Sequence, residues 1–157
     1  MIPFNFTARD GVELTGYITL PPTYRKGQKI PFIVHPHGGP NAKDSFGYRS
    51  EVQIYATRGY GVLQVNYRGS VGFGLEKMKL ANKQWSLAMH DDLLDALTWA
   101  TERGFVDTEK VCISGASYGG YSAMVGITKN SDIFKCAINY VGVVDLELLQ
   151  ELSLIHI

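Results

Sequence analysis

The sequence predicts an α/β fold, with helices packed on a mostly parallel sheet and an antiparallel hairpin at its N-terminal edge. Short apolar runs without alternation recur at Phe32-Ile33-Val34, Val62-Leu63 with Val65, Val111-Cys112-Ile113 and Val141-Gly142-Val143-Val144. Such runs suit strands buried on both faces, as in a parallel sheet. Helix-like segments lie between them, so strand and helix alternate along the chain. The first twenty residues instead alternate polar with apolar, as a strand with one wet face does.

Taken in order, Phe4-Asn5-Phe6-Thr7 alternates, Asp10-Gly11 is a strong hairpin turn, and Val12, Leu14, Ile18 and Leu20 share one face. Pro21-Pro22 ends that strand, and Tyr24 to Lys29 reads as a polar loop. Glu51 to Arg58 is helical and is closed by Gly59. Met89 to Arg103 is the clearest helix, with Met89, Leu93, Leu97 and Ala100 on one stripe and Gly104 as its stop. A further helix begins just after Ser117. There is no internal repeat or low-complexity segment.

A chain of 157 residues fits one domain with a real core. Its 15 acidic and 15 basic residues balance, which argues against nucleic acid or an anionic membrane surface as a main partner. No apolar stretch reaches the length of a membrane span. The start, Met1-Ile2-Pro3-Phe4, has neither a basic region nor an apolar core, so no signal peptide is visible and a cytoplasmic location is favoured. Cys112 and Cys136 both sit inside apolar runs and read as two small buried hydrophobes; a disulfide or metal site would need more partners than the sequence offers.

The chemistry lies in Lys110-Val111-Cys112-Ile113-Ser114-Gly115-Ala116-Ser117-Tyr118-Gly119-Gly120-Tyr121. It places Gly-x-Ser-x-Gly after a strand and before a helix, the context of a nucleophile elbow. The turn is so tight that side chains two before and two after the serine would collide, and Gly115 and Gly119 remove them. Ser117 then sits at a helix N-terminus, where free N–H groups favour developing negative charge. His35-Pro36-His37-Gly38-Gly39-Pro40 follows the strand Phe32-Ile33-Val34. There His37 and Gly38 shape a loop that brings a backbone N–H close to a substrate carbonyl. The second such donor is the N–H of Tyr118.

His35 and His37 precede the serine, whereas chain order in this kind of site is serine, acid, histidine, so neither is taken as the base. His35 reads as a packed strand-end residue. His90, Asp91 and Asp92 read as a solvated first helical turn with acids at the positive end of the dipole. No metal site and no cofactor is expected.

With elbow and loop in place, the chain resembles the catalytic domain of the prolyl oligopeptidase family of serine peptidases, in its acylaminoacyl-peptidase and dipeptidyl-peptidase-like branches. The resemblance rests on His37-Gly38-Gly39-Pro40, Arg58-Gly59-Tyr60, Asn66-Tyr67-Arg68-Gly69-Ser70 with Gly72-Phe73-Gly74, Asp91-Asp92, and Ser117-Tyr118-Gly119-Gly120-Tyr121. It covers nearly everything from Pro3 to Asp145. One departure is Ser86-Leu87 after Trp85, where relatives often have glycine.

The resemblance implies an α/β-hydrolase fold, Ser117 as nucleophile, and the N–H groups of Gly39 and Tyr118 as the oxyanion hole. It implies cleavage of short peptides through an acyl-enzyme, with size screened by a β-propeller domain that this sequence does not contain. Asp145 matches a position that is not the family's catalytic acid. A carboxylesterase on the same fold is the rival enzyme, and an inert, truncated chain the non-enzyme rival.

After Ser117 the acids are Asp132, Asp145, Glu147 and Glu151, and the one histidine is His156. The family's acid and histidine follow two further strands. The fold is therefore expected to stop after about the sixth strand, leaving an edge that invites aggregation and a chain inactive by itself. Leu152-Ser153-Leu154-Ile155-His156-Ile157 breaks the family pattern and matches the translation of a transposon-end sequencing adapter, CTG TCT CTT ATA CAC ATC. Residues 1–151 are thus expected to be a partial peptidase domain and 152–157 an adapter-derived tail in which His156 has no role.

Overall fold

A computed structural model describes residues 1–154, with side chains described to residue 151. The expectation for 152–157 therefore falls on residues whose side chains, and from 155 the backbone, lie outside the described ones. One six-stranded sheet has the order β1-β2-β4-β3-β5-β6. Its strands are β1 (Ile2–Thr7), β2 (Glu13–Thr19), β3 (Ile30–Val34), β4 (Gly61–Asn66), β5 (Val106–Ala116) and β6 (Cys136–Tyr140). β1 pairs antiparallel with β2, and β2 antiparallel with β4. The remaining neighbours, β4 with β3, β3 with β5 and β5 with β6, are parallel. This is the α/β class that the alternation of strand and helix pointed to, in the α/β-hydrolase form that the family resemblance implied.

The helices are α1 (Ser50–Ala56), α2 (Leu75–Lys79), α3 (Ala88–Glu102), α4 (Tyr118–Lys129) and α5 (Leu146–Leu154). α3 and α4 touch each other and share one face of the sheet. The predicted stripe of α3, Met89, Leu93, Leu97 and Ala100, is buried there against Phe32, Val34, Leu63, Val65, Val111 and Ile113. Successive strand residues point to opposite faces, so Ile33 and Val62 face the other way and are buried on the α1 side with Val52 and Ala56. Burying each large aliphatic side chain stabilises the fold by about 1.5–3 kcal/mol. α2, only five residues long, gave no periodic signal.

Three sequence expectations are corrected. The sixth strand is Cys136–Tyr140 and not Val141–Val144; Val141 turns to φ 47° and, with Val144, is exposed. The ladder with β5 sets this register, pairing Cys112 with Cys136 through Ala116 with Tyr140. The same register overturns the reading of the cysteines. Cys112 and Cys136 stand opposite each other with Cα atoms 4.7 Å apart and are joined as a disulfide, a separation within the normal range. Cys136 is exposed rather than buried.

The third correction is the start of α3. His90 and Asp92 are buried, with Asp92 fully so, and only Asp91 keeps a solvated place, pairing with Arg9 at 3.1 Å. Asp92 is held by Arg68. It accepts from the Arg68 backbone N–H at 2.8 Å, from Nε at 2.9 Å and from Nη2 at 2.8 Å. Arg68 also reaches Asp10 in the hairpin turn at 2.7 and 3.1 Å. A buried carboxylate needs such a partner. Burial pushes the Asp92 carboxyl above its usual range, against the pull of Arg68, and the Asp92 contact raises the Arg68 guanidinium.

Candidate active site

Ser117 occupies the junction of β5 and α4 with φ 56° and ψ −121°, a backbone conformation costly for a residue with a Cβ. The neighbours hold it there. Its N–H donates to Tyr140 O on β6 at 3.0 Å, and its carbonyl accepts from Tyr121 N–H at 3.0 Å in the first turn of α4. A Cβ on Gly115 would lie 2.6 Å from the Gly119 carbonyl carbon, and one on Gly119 would lie 2.2 Å from Pro36 O. Both positions demand glycine for reasons of space, as the elbow pattern predicts. Gly120 likewise lets α4 approach Asn139 and Gly142.

The glycine loop lies against this junction. A Cβ on Gly38 would come within 3.1 Å of Ala116 O and 3.4 Å of Ser117 Cβ. Gly39 has φ 131°, and a Cβ there would meet Asn41 N at 2.7 Å. Gly38 is half-buried and Gly39 exposed. Tyr118 is buried, with its ring 4.7 Å from Trp85 and 5.4 Å from Tyr67, so its backbone N–H at the N-terminus of α4 is fixed by packing. Burial pushes the phenols of both Tyr67 and Tyr118 up.

His37 is buried and serves the loop. Its ring stacks on Tyr67 at 4.4 Å, with Nδ1 2.8 Å from Gly38 O and Nε2 3.0 Å from Ser70 Oγ. Tyr67 donates its hydroxyl to His37 O at 2.7 Å. Farther along, Asn41 donates to Gly69 O, Asp44 N–H to the Asn66 side chain, and Val71 N–H to Ala42 O. The Asn66-Tyr67-Arg68-Gly69-Ser70 segment, which the sequence offered only as a family marker, is thus the scaffold of the glycine loop. No local sequence pattern signals this, because the partners are about 20 to 35 residues apart. Burial keeps the His37 imidazole below its usual pKa.

The other histidines are engaged elsewhere. His35 is buried with Nε2 3.6 Å from Glu51, consistent with a packed strand-end residue. His90 Nε2 lies 2.8 Å from Asn130 Oδ1. Neither meets Ser117. Among the described residues no cluster of three or more His, Cys, Asp or Glu could hold a metal, and no helix is long and apolar enough to cross a membrane. The arrangement brings together a strained serine and two converging backbone stretches, chemistry suited to receiving a carbonyl and stabilising an oxyanion.

Known proteins share this architecture and sequence. A peptidase described as dipeptidyl aminopeptidase BIII from Pseudoxanthomonas mexicana is 40% identical over 153 residues, covering 94% of this chain and 22% of the relative. Dipeptidyl peptidase family member 6 of Caenorhabditis elegans is 36% identical over 161 residues, covering 90% of this chain and 22% of that protein. Among solved structures, a Mycobacterium tuberculosis puromycin-hydrolysing peptidase superposes with a TM-score of 0.85 at 30% identity, over 95% of this chain and 24% of its own. Pyrococcus horikoshii acylaminoacyl peptidase gives 0.82 at 31% identity, over 90% and 23%. The chain therefore spans less than a quarter of the length of these relatives. Residues 46–153 match the prolyl oligopeptidase family, so the elbow at Ser117, the glycine loop and the sheet that carries them place this chain in that family of serine peptidase hydrolases.

Proposed function

We propose that Ser117 is the nucleophile of a peptidase acting on short peptides through an acyl-enzyme, with the N–H groups of Gly39 and Tyr118 forming the oxyanion hole. The observation that carries this is the junction itself: a serine at φ 56° whose Cβ lies 3.4 Å from where a Gly38 Cβ would be. In this reading Ser117 Oγ attacks the scissile carbonyl, and the oxygen that gains charge is met by two fixed donors. Such a donor is worth about 10²–10³ in kcat. The relatives described as dipeptidyl and acylaminoacyl peptidases, and the puromycin-hydrolysing peptidase, support an aminoacyl amide as the scissile bond.

A serine hydroxyl without a base is a poor nucleophile near neutral pH, and His35, His37 and His90 all have other partners. We therefore expect the 157-residue chain alone to be inert. The test compares this chain, and the gene's full-length product where the gene encodes more, with a fluorophosphonate probe and with aminoacyl-amide and short acyl-ester substrates. The full-length product is expected to be labelled and to cleave amides, and Ser117→Ala to abolish both. Labelling that survives Ser117→Ala would sink the nucleophile assignment. Ester turnover with no amide cleavage would favour an esterase.

A further inference from the structure

The segment that leaves β6 carries backbone strain that the proposed chemistry does not use. Val141 stands at φ 47°, in the left-handed region where a β-branched residue is an outlier. It is 70% exposed, so burial of its side chain does not offset the strain. The residue before it, Tyr140, presents its carbonyl to the Ser117 N–H at 3.0 Å. That carbonyl belongs to the peptide joining Tyr140 to Val141, and φ of Val141 is the rotation between this peptide and the chain that follows.

Both sides of that rotation are held. Upstream, the ladder between β5 and β6 runs to the pair Ala116–Tyr140, which brings the carbonyl to the elbow. Downstream, the Gly142 N–H donates to Asn139 Oδ1 at 2.8 Å and closes a turn over Tyr140 and Val141. A backbone N–H can only donate, so the side-chain atom that meets it is the amide oxygen. The closed turn is wedged against the first turn of α4. A Cβ on Gly142 would lie 2.2 Å from Asn139 Oδ1 and 2.7 Å from the Gly120 carbonyl carbon, and one on Gly120 would lie 2.4 Å from Asn139 Oδ1.

The hydrogen bond to Asn139 therefore stands between Val141 and relaxation. Without it, a return to negative φ turns the Tyr140–Val141 peptide and takes the acceptor away from the Ser117 N–H. Glycine adopts positive φ at little cost, so Val141→Gly removes the drive to turn that peptide. Asn139→Asp keeps an acceptor oxygen on a side chain of the same shape, whereas Asn139→Ala keeps none.

We propose that Asn139 is a positioning residue for the nucleophile: its side-chain oxygen closes the turn over residues 139–142, holds Val141 in its strained conformation, and so keeps the Tyr140 carbonyl aimed at the Ser117 N–H. This role rests on the reading of Ser117 as nucleophile, and the experiment separates the two. Amide hydrogen exchange resolved to single residues, on the 157-residue chain at low protein concentration, reads the Ser117 N–H directly. Asn139→Ala is expected to exchange it about tenfold faster, the equivalent of one lost hydrogen bond, and Asn139→Asp to stay near wild type. Adding Asn139→Ala to Val141→Gly should change it little. Unchanged Ser117 exchange in Asn139→Ala overturns the proposal, as does an equal acceleration in the glycine background. An acceleration shared equally by the Leu63 and Ile113 amides marks general loosening and overturns it too.

On the full-length product, Asn139→Ala is expected to lower kcat on an aminoacyl amide about tenfold with KM nearly unchanged, less than the roughly 10²-fold that a misplacement of about 1 Å can cost. Asn139→Asp should retain most of the activity. Exchange that rises as expected with kcat unchanged overturns the positioning role. Fluorophosphonate labelling that survives Ser117→Ala overturns the nucleophile reading, and the positioning role with it, while the exchange pattern still decides whether Asn139 holds the turn.

Discussion

Replacing Arg68 by methionine keeps an unbranched stem and removes the charge that holds Asp92. Asp92 is fully buried and would keep one described partner, the residue-68 backbone N–H at 2.8 Å, after losing donors at 2.9 and 2.8 Å. Breaking a buried pair in this way costs about 3–5 kcal/mol. The carboxylate can escape by taking a proton. From the ordinary aspartate value of 3.8, that escape costs about 4 kcal/mol at pH 7 and about 2 kcal/mol at pH 5, at roughly 1.4 kcal/mol per unit. Arg68→Met should therefore lose about 4 kcal/mol at pH 7 and about half of that at pH 5. Asp10, half-exposed at the other end of the guanidinium, is screened by solvent, so Asp10→Asn should cost less than about 1 kcal/mol. Adding Asp92→Leu to Arg68→Met should recover most of the loss, since an apolar pair of similar volume often replaces a buried ion pair at no cost. Urea unfolding followed by the fluorescence of Trp85 and Trp99 at low protein concentration reads all three variants against wild type. A loss from Arg68→Met that is the same at pH 5 and pH 7, or an Asp10→Asn loss equal to it, would refute the reasoning.

Within α4, Gly119→Ala places a methyl 2.2 Å from Pro36 O, whereas Gly126→Ala meets the Ile113 side chain at 3.1 Å; both gain about 1 kcal/mol of helix propensity, so the first should be destabilised by at least about 2 kcal/mol relative to the second in the same denaturant assay, and equal effects would undo the tight-turn argument. Burial lowers the His90 pKa below the ordinary histidine value of 6.5. Its contribution is thus complete above that value and is lost as pH falls through the depressed folded pKa. Thermal melts from pH 7.5 downward should show a loss that is reduced in His90→Gln, and an unchanged slope would remove His90 from the account. β6 is an edge strand with Ile138 47% and Tyr140 68% exposed, so sedimentation should detect self-association that Ile138→Lys reduces. A wild-type chain that stays monomeric at high concentration would contradict this.

Sequence reading succeeded where periodicity speaks for burial. The α3 stripe, the N-terminal alternation and the glycines of the elbow each follow from a local rule. It failed where a residue's setting depends on a partner distant in the chain. Val141–Val144 is more apolar than Cys136–Tyr140, yet the ladder with Cys112–Ala116 selects the latter. Cys112 and Cys136 looked like isolated hydrophobes because 24 residues separate them, and only the parallel register brings them together. Asp92 read as a solvated helix start because its partner Arg68 is 24 residues back. Ser70 and Tyr67 gave no sign of touching His37 for the same reason, lying 33 and 30 residues away.

These long-range contacts also explain how a strained serine can persist without help from a base. Every observed interaction that fixes Ser117 comes from β5, β6, α4 and the glycine loop. Tyr140 O holds its N–H, the disulfide ties β5 to β6, and Gly115, Gly119 and Gly120 allow the close approaches that leave no other path for the backbone. Strain of about 1–3 kcal/mol at one residue is small beside the burial of Phe32, Val34, Val111 and Ile113 directly beneath. In the proposed reading, the half of the chemistry that receives charge is thus preorganised by packing alone, before any acid or histidine contributes. In a longer gene product that supplies the base, its loss should therefore abolish turnover while leaving the geometry of Ser117, Gly39 and Tyr118 intact.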